Sequence, residues 1–393
     1  MRSYQDMKIV YLIAGTFNAG GMERVMTQKA NWLARHGYAV TVVTTDQRGR
    51  APYFPLDTTI GTFDLGINYD VTNGALLHKL VAFPLKQWRH RRRLTSLLKR
   101  LRADVVVCMF NNDVSFAYKI ADGSRKVLEI HFSKNKKLQY GRHGLWALAD
   151  RWRTWREERL VRHYDRFVVL TQEDAALWGP MPGICVIPNA RTFQPSGRAD
   201  LTGHRVLAIG RYDYQKGFDR LIDIWAKVKG MTNDEVRMTN DEVRMTNDGW
   251  QLDIVGDGPL RGALQAQVAR LGLQDSVHLL PPTSDVQSLY LRSSVLAMTS
   301  RYEGLPMVLI EAQACGLPIV AYACQCGPRD VIRDGIDGYL IEPGDSDGFA
   351  RRLTTLMNDL PLRQALGQAA INHSESFTTE RIMPLWETVF GHP

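Results

Sequence analysis

Short apolar runs alternate with helix-like segments along almost the whole chain, and this alternation restricts the fold more than any other feature of the sequence. In the first cycle, the run KIVYLIA ends at residue 14 and is followed by a glycine loop and a segment of helical periodicity over 22–36. A second apolar run, AVTVVTT, then covers 39–45. Continuous apolar runs are typical of strands buried on both faces of a parallel sheet. The cycle therefore predicts a βαβ unit.

The alternation continues through two series of elements. In the first series, strands are predicted near 104–108, 127–130 and 167–170, and long helices near 76–101 and 145–164. A segment rich in Pro, Gly and polar residues follows over 188–203, and we interpret it as a linker. In the second series, strands are predicted at 205–210, 250–255, 277–281, 294–300, 317–322 and 338–343. Two α/β domains in tandem are therefore expected, which suits a chain of 393 residues.

Residues 231–248 interrupt the second series with the unit MTNDEVR, which occurs twice and then in part. A seven-residue period can indicate a coiled coil. Each copy, however, offers only one Met and one Val among polar residues, so it can bury almost nothing. We interpret the repeat as a surface insertion, and partner docking is the alternative.

Cysteine usage and hydropathy indicate a cytoplasmic protein. The five cysteines form no CxxC pair, so free thiols in a reducing compartment are expected. The N-terminal apolar run is too short, and too close to Asp6, for a good signal peptide. No run approaches the ~18 apolar residues of a membrane span. We therefore expect a cytoplasmic protein that can attach peripherally to the inner face of the cytoplasmic membrane but does not cross it.

The net charge of +8 is concentrated in the N-terminal half. Nine Lys and Arg lie between Lys79 and Arg102 with no acidic residue, and nine more lie between Lys134 and Arg162 against three acids. The first window mixes its cations with Trp88 and leucines, which is typical of a helix that binds an anionic membrane surface. A solvated basic helix is the alternative. Nucleic acid is not expected as a partner, because no recognised nucleic-acid module is present and the aromatic residues are not interleaved for base stacking.

Two glutamates stand eight positions apart in SRYEGLPMVLIEAQACGLPIVA, residues 300–321. Pro306 suits the first turn of a helix, and a helix that starts there directs free amide groups toward Glu303 and Gly304. Such a turn favours a phosphate. Glu311, inside the helix, can accept two hydroxyl hydrogen bonds, as a ribose diol requires. The position after a buried strand favours a nucleotide diphosphate carrying a sugar over the alternative, a capped helix that carries an acid in its early turns.

Two cations follow the first strand of the second series, in GRYDYQKGFDRLI over 210–222. This places Arg211 and Lys216 at the carboxyl edge of a parallel sheet, where ligands bind in doubly wound folds. There they can neutralise a diphosphate leaving group without a metal. The alternative is a pair of solvated cations in a surface loop.

The N-terminal half offers weaker candidates. Gly20 and Gly21 lie at a strand-to-helix turn whose amides can approach a ligand, but tight packing of strand on helix explains them equally well. The loop lacks the Lys and hydroxyl of a phosphate loop and the spacing of a nicotinamide fingerprint, so neither an ATPase nor a nicotinamide enzyme is predicted. His131, in EIHFS, follows a buried strand and is a catalytic candidate, although a lone histidine is more often structural.

Together these motifs resemble the retaining glycosyltransferases of family four (glycosyl transferases group 1), of the bacterial surface-polysaccharide type. AGTFNAGGMERV resembles the N-terminal glycine loop of that family, GRYDYQKGFDRLI its Gly-Arg…Lys-Gly segment, and IVGDGPLRGAL and SRYEGLPMVLIEAQACGLPIVA its two C-domain signatures. The resemblance covers essentially the whole chain and departs only at the 231–248 repeat. It implies the α/β GT-B fold, with two Rossmann-like domains and a deep interdomain cleft. The implied parts are an acceptor domain over 1–190, a donor domain over 204–376 and a helix over 377–393 that returns to the N-domain.

By this resemblance the donor domain holds a nucleotide-diphosphate sugar. Arg211 and Lys216 would contact the diphosphate, Glu303 would lie near the donor sugar, and Glu311 would bind the ribose. The resemblance also implies a catalytic His131 near the reacting sugar. The remaining implied donor contacts are Gly304, Leu305 and Met307 through their amides, Leu280 and Pro281 against the base, and Gly20 and Gly21 toward the phosphates.

The activity implied is that of a hexosyltransferase acting with retention of anomeric configuration. It would move a hexose or N-acetylhexosamine, from a UDP-sugar, to a glycan or lipid-linked glycan in lipopolysaccharide or capsule biosynthesis. The donor is a substrate, so no cofactor is expected. No metal is expected either, because no Asp-x-Asp pair sits at a strand end and cations with helix dipoles can replace it. A sugar-nucleotide 2-epimerase of the same fold is the alternative.

Overall fold

The computed structural model describes residues 7–72, 76–140, 143–230 and 249–391. Within them the chain divides into two compact units, described separately below: unit 1 contains the residues up to Pro188 and those from Ile382, and unit 2 contains Asn189–Arg381. The 231–248 repeat lies outside the described residues. No helix in the described part of the chain is both long and apolar enough to cross a membrane.

Unit 1 is built on a seven-stranded sheet in which every pair of neighbouring strands is parallel. The spatial order is β3-β2-β1-β4-β5-β6-β7. In chain order the strands are β1 Lys8–Ile13, β2 Ala39–Thr44, β3 Gly61–Asp64, β4 Val105–Cys108, β5 Arg125–Glu129, β6 Arg166–Val169 and β7 Ile184–Val186. The helices between them are α1 Gly21–Arg35, α2 Leu76–Leu101, α3 Leu145–Val161 and α4 Gln172–Trp178.

The helices of unit 1 cover both faces of its sheet. Leu94 and Leu98 of α2, Val161 of α3 and Trp178 of α4 belong to one buried cluster, together with every second residue of the central strands. Helix α1 connects β1 to β2. This connection crosses the sheet in the opposite direction from the connections made by α2 and α3. Since such crossovers are right-handed, α1 covers the other face.

Unit 2 has a six-stranded parallel sheet of spatial order β10-β9-β8-β11-β12-β13. Its strands are β8 Arg205–Ile209, β9 Gln251–Val255, β10 Val277–Leu280, β11 Val295–Met298, β12 Ile319–Tyr322 and β13 Gly338–Ile341. Its helices are α5 Phe218–Gly230, α6 Arg261–Arg270, α7 Val286–Leu291, α8 Met307–Ala314, α9 Pro328–Val331, α10 Ser346–Asn358 and α11 Leu360–Ser374. Short 3-10 helices lie at Tyr69–Thr72, Ala117–Lys119 and Leu138–Tyr140 in unit 1, and at Glu375–Phe377 in unit 2.

Each unit is thus a doubly wound parallel sheet, and the GT-B fold expected from the sequence is confirmed. The segment 188–203, interpreted above as a linker, is tied to unit 2 from Asn189 onward. The Ala199 amide donates to Cys315 O at 2.8 Å, and the Asp200 amide donates to Leu291 O at 2.8 Å. Its Pro- and Gly-rich composition therefore reflects irregular backbone packed on a domain.

A twelfth helix, α12 Thr379–Gly391, contributes its residues from Ile382 onward to unit 1. Trp386 is buried there, and Glu387 accepts a hydrogen bond from Tyr38 Oη at 2.7 Å. Arg125 donates to the carbonyls of Val389 and Phe390 at 3.1 and 3.2 Å. A cation at these carbonyls satisfies helix-end acceptors and complements the negative end of the helix dipole.

Candidate functional site

The topological switch point of unit 2 lies between β8 and β11, adjacent strands whose onward connections run in opposite directions across the sheet. Ligands of open parallel sheets bind outside the carboxyl ends of the strands at such a point. The loop after β8 carries Lys216, and the loop after β11 carries Glu303. The fold therefore brings together two residues that are 87 positions apart in the chain.

Lys216 and Glu303 form an ion pair at this point. Lys216 Nζ lies 2.6 Å from Glu303 Oε1, and Gln215 Nε2 donates to the other carboxylate oxygen at 3.3 Å. Only 6% of the Glu303 side chain is exposed, against 21% for Lys216. The lysine thus has an open side from which a second anion can approach it.

The loop that carries Lys216 is held tightly against the end of β11. Gly217 has φ +64°, and a Cβ added to it would lie 2.4 Å from Thr299 O. Arg301 pairs with Asp219 through two contacts of 2.9 and 2.6 Å. Its amide also donates to Gln215 O at 2.7 Å. These contacts fix the lysine relative to Glu303 before any ligand binds.

Arg211, predicted as the second diphosphate cation, is not brought into this pair. Its side chain is 72% exposed, and its Nε lies 3.9 Å from Asp213 Oδ2. It stands at the same carboxyl edge of the sheet as Lys216, because both follow β8.

The turn that contains Gly304 and Leu305 leads directly into α8, as the EGLP motif predicts. The expected helix start at Pro306 is wrong by one residue: Pro306 is the N-cap, with ψ 97°, and Met307 is the first helical residue. Proline lacks a side-chain acceptor, so it makes no side-chain cap hydrogen bond to the first turn. The amide at Met307 and the dipole of α8 are thus placed to favour an anion beside Glu303.

Glu311 lies within α8 and is 5% exposed. Thr192 Oγ1 donates to one of its carboxylate oxygens, and Tyr290 Oη donates to the other at 2.8 Å. The sequence predicts two hydroxyl donors from a ribose diol, whereas the two donors seen here belong to protein side chains.

Of the predicted base contacts, Leu280 ends β10 and Pro281 directly follows the strand. Leu280 is half-buried, and Pro281 is exposed. Leu280 O accepts hydrogen bonds from Tyr212 Oη at 2.9 Å and from the Gly256 amide at 3.0 Å. The two residues lie two strands away from β8, at the same carboxyl edge.

In unit 1, Gly20 is the N-cap of α1 and Gly21 is its first residue. A Cβ added to Gly20 would meet the carboxylate of Glu23 at 2.1 Å, whereas one added to Gly21 meets no described atom within 4 Å. Tight packing of strand on helix is the alternative explanation for these glycines. It does not explain Gly21, because none of the described residues would block a side chain there.

His131 follows β5, and its Nε2 lies 3.0 Å from Glu129 Oε1. The same oxygen accepts a hydrogen bond from Lys29 Nζ of α1, and the Glu129 side chain is fully buried. Trp386 of α12 covers the other side of Lys29, whose Nζ is 4.0 Å from the ring centroid. His131 is therefore held by a buried charge network in unit 1.

The network controls the ionisation of its carboxyl group. Burial by itself would raise the pKa of Glu129, but Lys29 and His131 lower it to about 2. Burial lowers the pKa of Lys29, although Glu129 opposes this shift. Glu129 is thus an ionised acceptor throughout the neutral range.

Several contributors to these sites were not predicted from the sequence. They are Gln215 on Glu303, Thr192 and Tyr290 on Glu311, and Lys29 with Glu129 on His131. A weak signal existed for Lys29, a charged residue on the apolar side of α1. Among the described residues, no group of three or more His, Cys, Asp or Glu could hold a metal ion.

Two family models match the chain in tandem. The model described as Glycosyltransferase Family 4 matches residues 19–191, and the model described as Glycosyl transferases group 1 matches residues 190–373. The candidate residues of unit 1 and unit 2 fall within these two matches, respectively.

Full-length relatives are also found. The amylovoran biosynthesis glycosyltransferase AmsD of Erwinia amylovora is 28% identical, over 98% of this chain and 99% of that relative. An α-1,4-N-acetyl-D-galactosaminyltransferase of Campylobacter jejuni, named for an undecaprenol-diphosphate-linked glycan, is 25% identical, over 97% of each chain. Among solved structures, S. aureus TarM with fondaparinux, α-GlcNAc-glycerol and UDP gives a TM-score of 0.75 at 16% identity, over 98% of this chain and 100% of that chain.

Gly217→Ala should destabilise unit 2 and lower the affinity of the Lys216 loop for anions. The left-handed backbone alone costs an alanine about 1–2 kcal/mol, and the clash with Thr299 O adds to that cost. Gly272→Ala is a matched control, because Gly272 has φ +66° and a Cβ there meets no described atom within 4 Å. Urea denaturation measures both variants, and equal losses of unfolding free energy would show that the contact with Thr299 O carries no cost.

Glu129→Gln should destabilise the protein by about 3–5 kcal/mol at pH 7, because it leaves Lys29 buried beside a neutral group. The folded-state pKa of Glu129 lies below its ordinary value, so the stabilisation is complete above about pH 5 and is lost as the pH falls toward about 2. The gap in unfolding free energy between wild type and variant should therefore narrow over that range in urea denaturation.

Asp70→Asn is the control for the Glu129 variant, because Asp70 pairs with Arg48 while both side chains remain more than a third exposed. Its loss should stay below about 1 kcal/mol. A Glu129→Gln loss as small as that of Asp70→Asn would mean that the buried network contributes no stability.

Proposed function

We propose that this chain, which belongs to the GT-B glycosyltransferases, transfers a sugar from a nucleotide-diphosphate donor to a glycan or lipid-linked glycan with retention of anomeric configuration. The observation that carries the proposal is the Lys216–Glu303 pair at the switch point of unit 2, at the N-terminal end of α8. A cation, free helix amides and a buried carboxylate stand together there. This combination suits a ligand that carries both phosphates and hydroxyl groups.

Lys216 is the residue we assign to the diphosphate. Its position is fixed by Gly217 and by the ion pair with Glu303, so it needs little reorganisation as negative charge develops on the leaving group. Arg211 is exposed at the same sheet edge, where it can turn onto a bound diphosphate. Together the two cations and the α8 dipole supply the charge stabilisation that departure of a nucleoside diphosphate requires.

Glu303 and Glu311 would hold two different parts of the donor. Glu303 accepts from the transferred sugar, while Lys216 and Gln215 hold its carboxylate in position. Glu311 accepts from the ribose hydroxyls, since each oxygen of a carboxylate can accept more than one hydrogen bond. Leu280 and Pro281 offer an apolar end of β10 against which the base can pack.

Retention is proposed together with a specific path for the acceptor proton. The leaving phosphate oxygen accepts that proton as the acceptor oxygen bonds to the anomeric carbon and the bond from the anomeric carbon to the phosphate oxygen breaks. No side-chain base is then required. The assignment of His131, Gly20 and Gly21 to this reaction rests on the family resemblance alone.

UDP is the nucleotide that we propose, with a hexose or N-acetylhexosamine as the transferred sugar. The structural neighbour TarM was crystallised with UDP and a GlcNAc-glycerol compound. Relatives named for amylovoran and for an undecaprenol-diphosphate glycan support an acceptor in polysaccharide or lipid-linked glycan biosynthesis. Because both relatives are named as glycosyltransferases, transfer is favoured over the 2-epimerase alternative. A cytoplasmic site of action, at the inner face of the membrane, would suit such an acceptor.

Lys216→Ala should lower kcat by about 10²–10³, because it removes a preorganised contact to charge that develops in the transition state. Glu311→Ala should instead raise the donor KM by about 10- to 100-fold, because it removes hydrogen bonds to a charged acceptor. Steady-state kinetics with the donor varied would separate the two effects. Lys227→Ala, an exposed lysine of unit 2 paired with Asp347, is the control and should leave both constants unchanged. Small, equal effects of both site variants would refute the assignment.

Thermal-shift measurements with UDP, GDP and ADP, each with and without EDTA, test the donor proposal directly. A rise in Tm with UDP that EDTA leaves unchanged is expected, and Lys216→Ala should reduce it. A shift with GDP or ADP only would refute UDP, and a shift abolished by EDTA would refute the metal-free site. Proton NMR of the product formed from an α-linked donor would show an α-linkage, whereas a β-linkage would refute retention.

A further inference from the structure

Helix α3 exposes its largest apolar side chains. Trp146, Leu148, Trp152 and Trp155 are 62, 60, 56 and 49% exposed. The side that faces the protein instead buries polar residues, among them Asp150 and Thr154. A helix of a soluble protein normally shows the reverse pattern. Its outward face therefore matches an environment less polar than water.

Two arginines of α3 lie over two of these tryptophans. Leu148, Trp152, Trp155 and Arg159 follow helical spacing and form one stripe. Arg156 lies over the Trp152 ring at 5.6 Å, and Arg159 lies over the Trp155 ring at 4.3 Å.

The three acids of α3 are either buried or paired with lysines. Asp150 is buried. Glu157 is paired with Lys137, and Glu158 lies 3.4 Å from Lys134 Nζ. The exposed stripe is therefore apolar and positively charged, with no uncompensated acid from its own helix.

Helix α2 repeats this pattern in its described side chains. Leu85 and Trp88 are 48 and 56% exposed, and Arg92 lies over the Trp88 ring at 5.5 Å. The three residues have the spacing of one helical stripe. The helix has no acidic residue.

Both stripes lie on the same side of unit 1. Leu94 and Leu98 of α2 and Val161 of α3 pack into one cluster on a single face of the sheet. The outward faces of the two helices therefore point in the same general direction. The Lys29–Glu129 network lies beneath α1, on the opposite face of the sheet.

We propose that these two stripes, Leu85, Trp88 and Arg92 of α2 with Leu148, Trp152, Trp155 and Arg159 of α3 and the neighbouring Arg156, form a docking surface for an anionic lipid bilayer. Tryptophan and arginine prefer the boundary between headgroups and hydrocarbon, where the ring is partly desolvated and the cation meets lipid phosphate. Each cation near an anionic leaflet contributes roughly 1 kcal/mol. Tryptophans in two separate helices give two points of insertion, which would fix the orientation of unit 1 on the surface.

This inference deepens the proposed function, because a surface-bound enzyme meets a lipid-linked acceptor in two dimensions. Charge complementarity and the paired Trp–Arg contacts favour lipid over a second copy of the chain, which would bring like charges together. Single-stranded nucleic acid could also stack on exposed tryptophans. The experiment therefore also tests for binding of single-stranded nucleic acid and for self-association.

The experiment is flotation of the full chain with vesicles of phosphatidylcholine alone or mixed with phosphatidylglycerol, at low and high salt. Binding to the anionic vesicles is expected, with loss at high salt. Arg156→Gln with Arg159→Gln should weaken binding about 10- to 30-fold, since two cations are removed. Trp152→Ser with Trp155→Ser should abolish the quenching of tryptophan fluorescence by brominated lipid that α3 contributes.

Matched controls lie on other parts of unit 1. Leu385→Ser on α12 removes an exposed apolar side chain (41% exposed), and Arg35→Gln on α1 removes an exposed cation (70% exposed). Both should bind vesicles as wild type does. All the substituted side chains are exposed, so thermal unfolding should be unchanged in every variant.

The proposal is overturned by any of four results. These are absence of binding to anionic vesicles, unchanged binding in both α3 double variants, a dimer in size-exclusion chromatography that those variants convert to monomer, and binding of a single-stranded oligonucleotide that competes with vesicles and is lost in the same variants. The UDP thermal shift is measured on each variant. A retained shift without vesicle binding refutes the surface alone, whereas vesicle binding without any nucleotide shift refutes the proposed function and leaves the surface standing.

Discussion

Parallel pairing of strands is the constraint on which the rest of this structure depends. Neighbouring parallel strands need a crossover connection, and most crossovers here place a helix on a face of the sheet. All carboxyl ends then converge on one edge. Lys216 and Glu303 become neighbours for this reason alone, since they follow adjacent strands β8 and β11. Arg211 reaches the same edge in the same way, without any contact to Glu303.

The fold could be predicted because buried parallel strands leave long apolar runs in the sequence. The strands that were not predicted are those that leave no such run. Strand β3 is mostly exposed and β7 has only three residues, so neither leaves a long apolar run. Glu303 and Lys216 could be located from their motifs and positions after strands, and the α8 start to within one residue. The partners of Glu311 could not, because Thr192 and Tyr290 are distant in sequence and carry no pattern that links them to α8.

Charge is handled in two opposite ways within unit 1. Beneath α1, Lys29 and Glu129 are removed from water and must compensate one another, which links the conformation around His131 to a few buried atoms. On α2 and α3, arginines remain in water and lie over tryptophan rings. The buried pair favours one rigid arrangement, whereas the exposed cations are available to a partner.

The position of α12 has a consequence for the order in which the protein can mature during synthesis. The ribosome makes α12 only after the whole of unit 2, yet Trp386 covers Lys29 and Arg125 binds the carbonyls at the end of that helix. All seven strands of unit 1 are translated long before α12, the helix that carries Trp386. An N-terminal domain usually folds first as it emerges. Here, completion of the first domain waits for translation of the second.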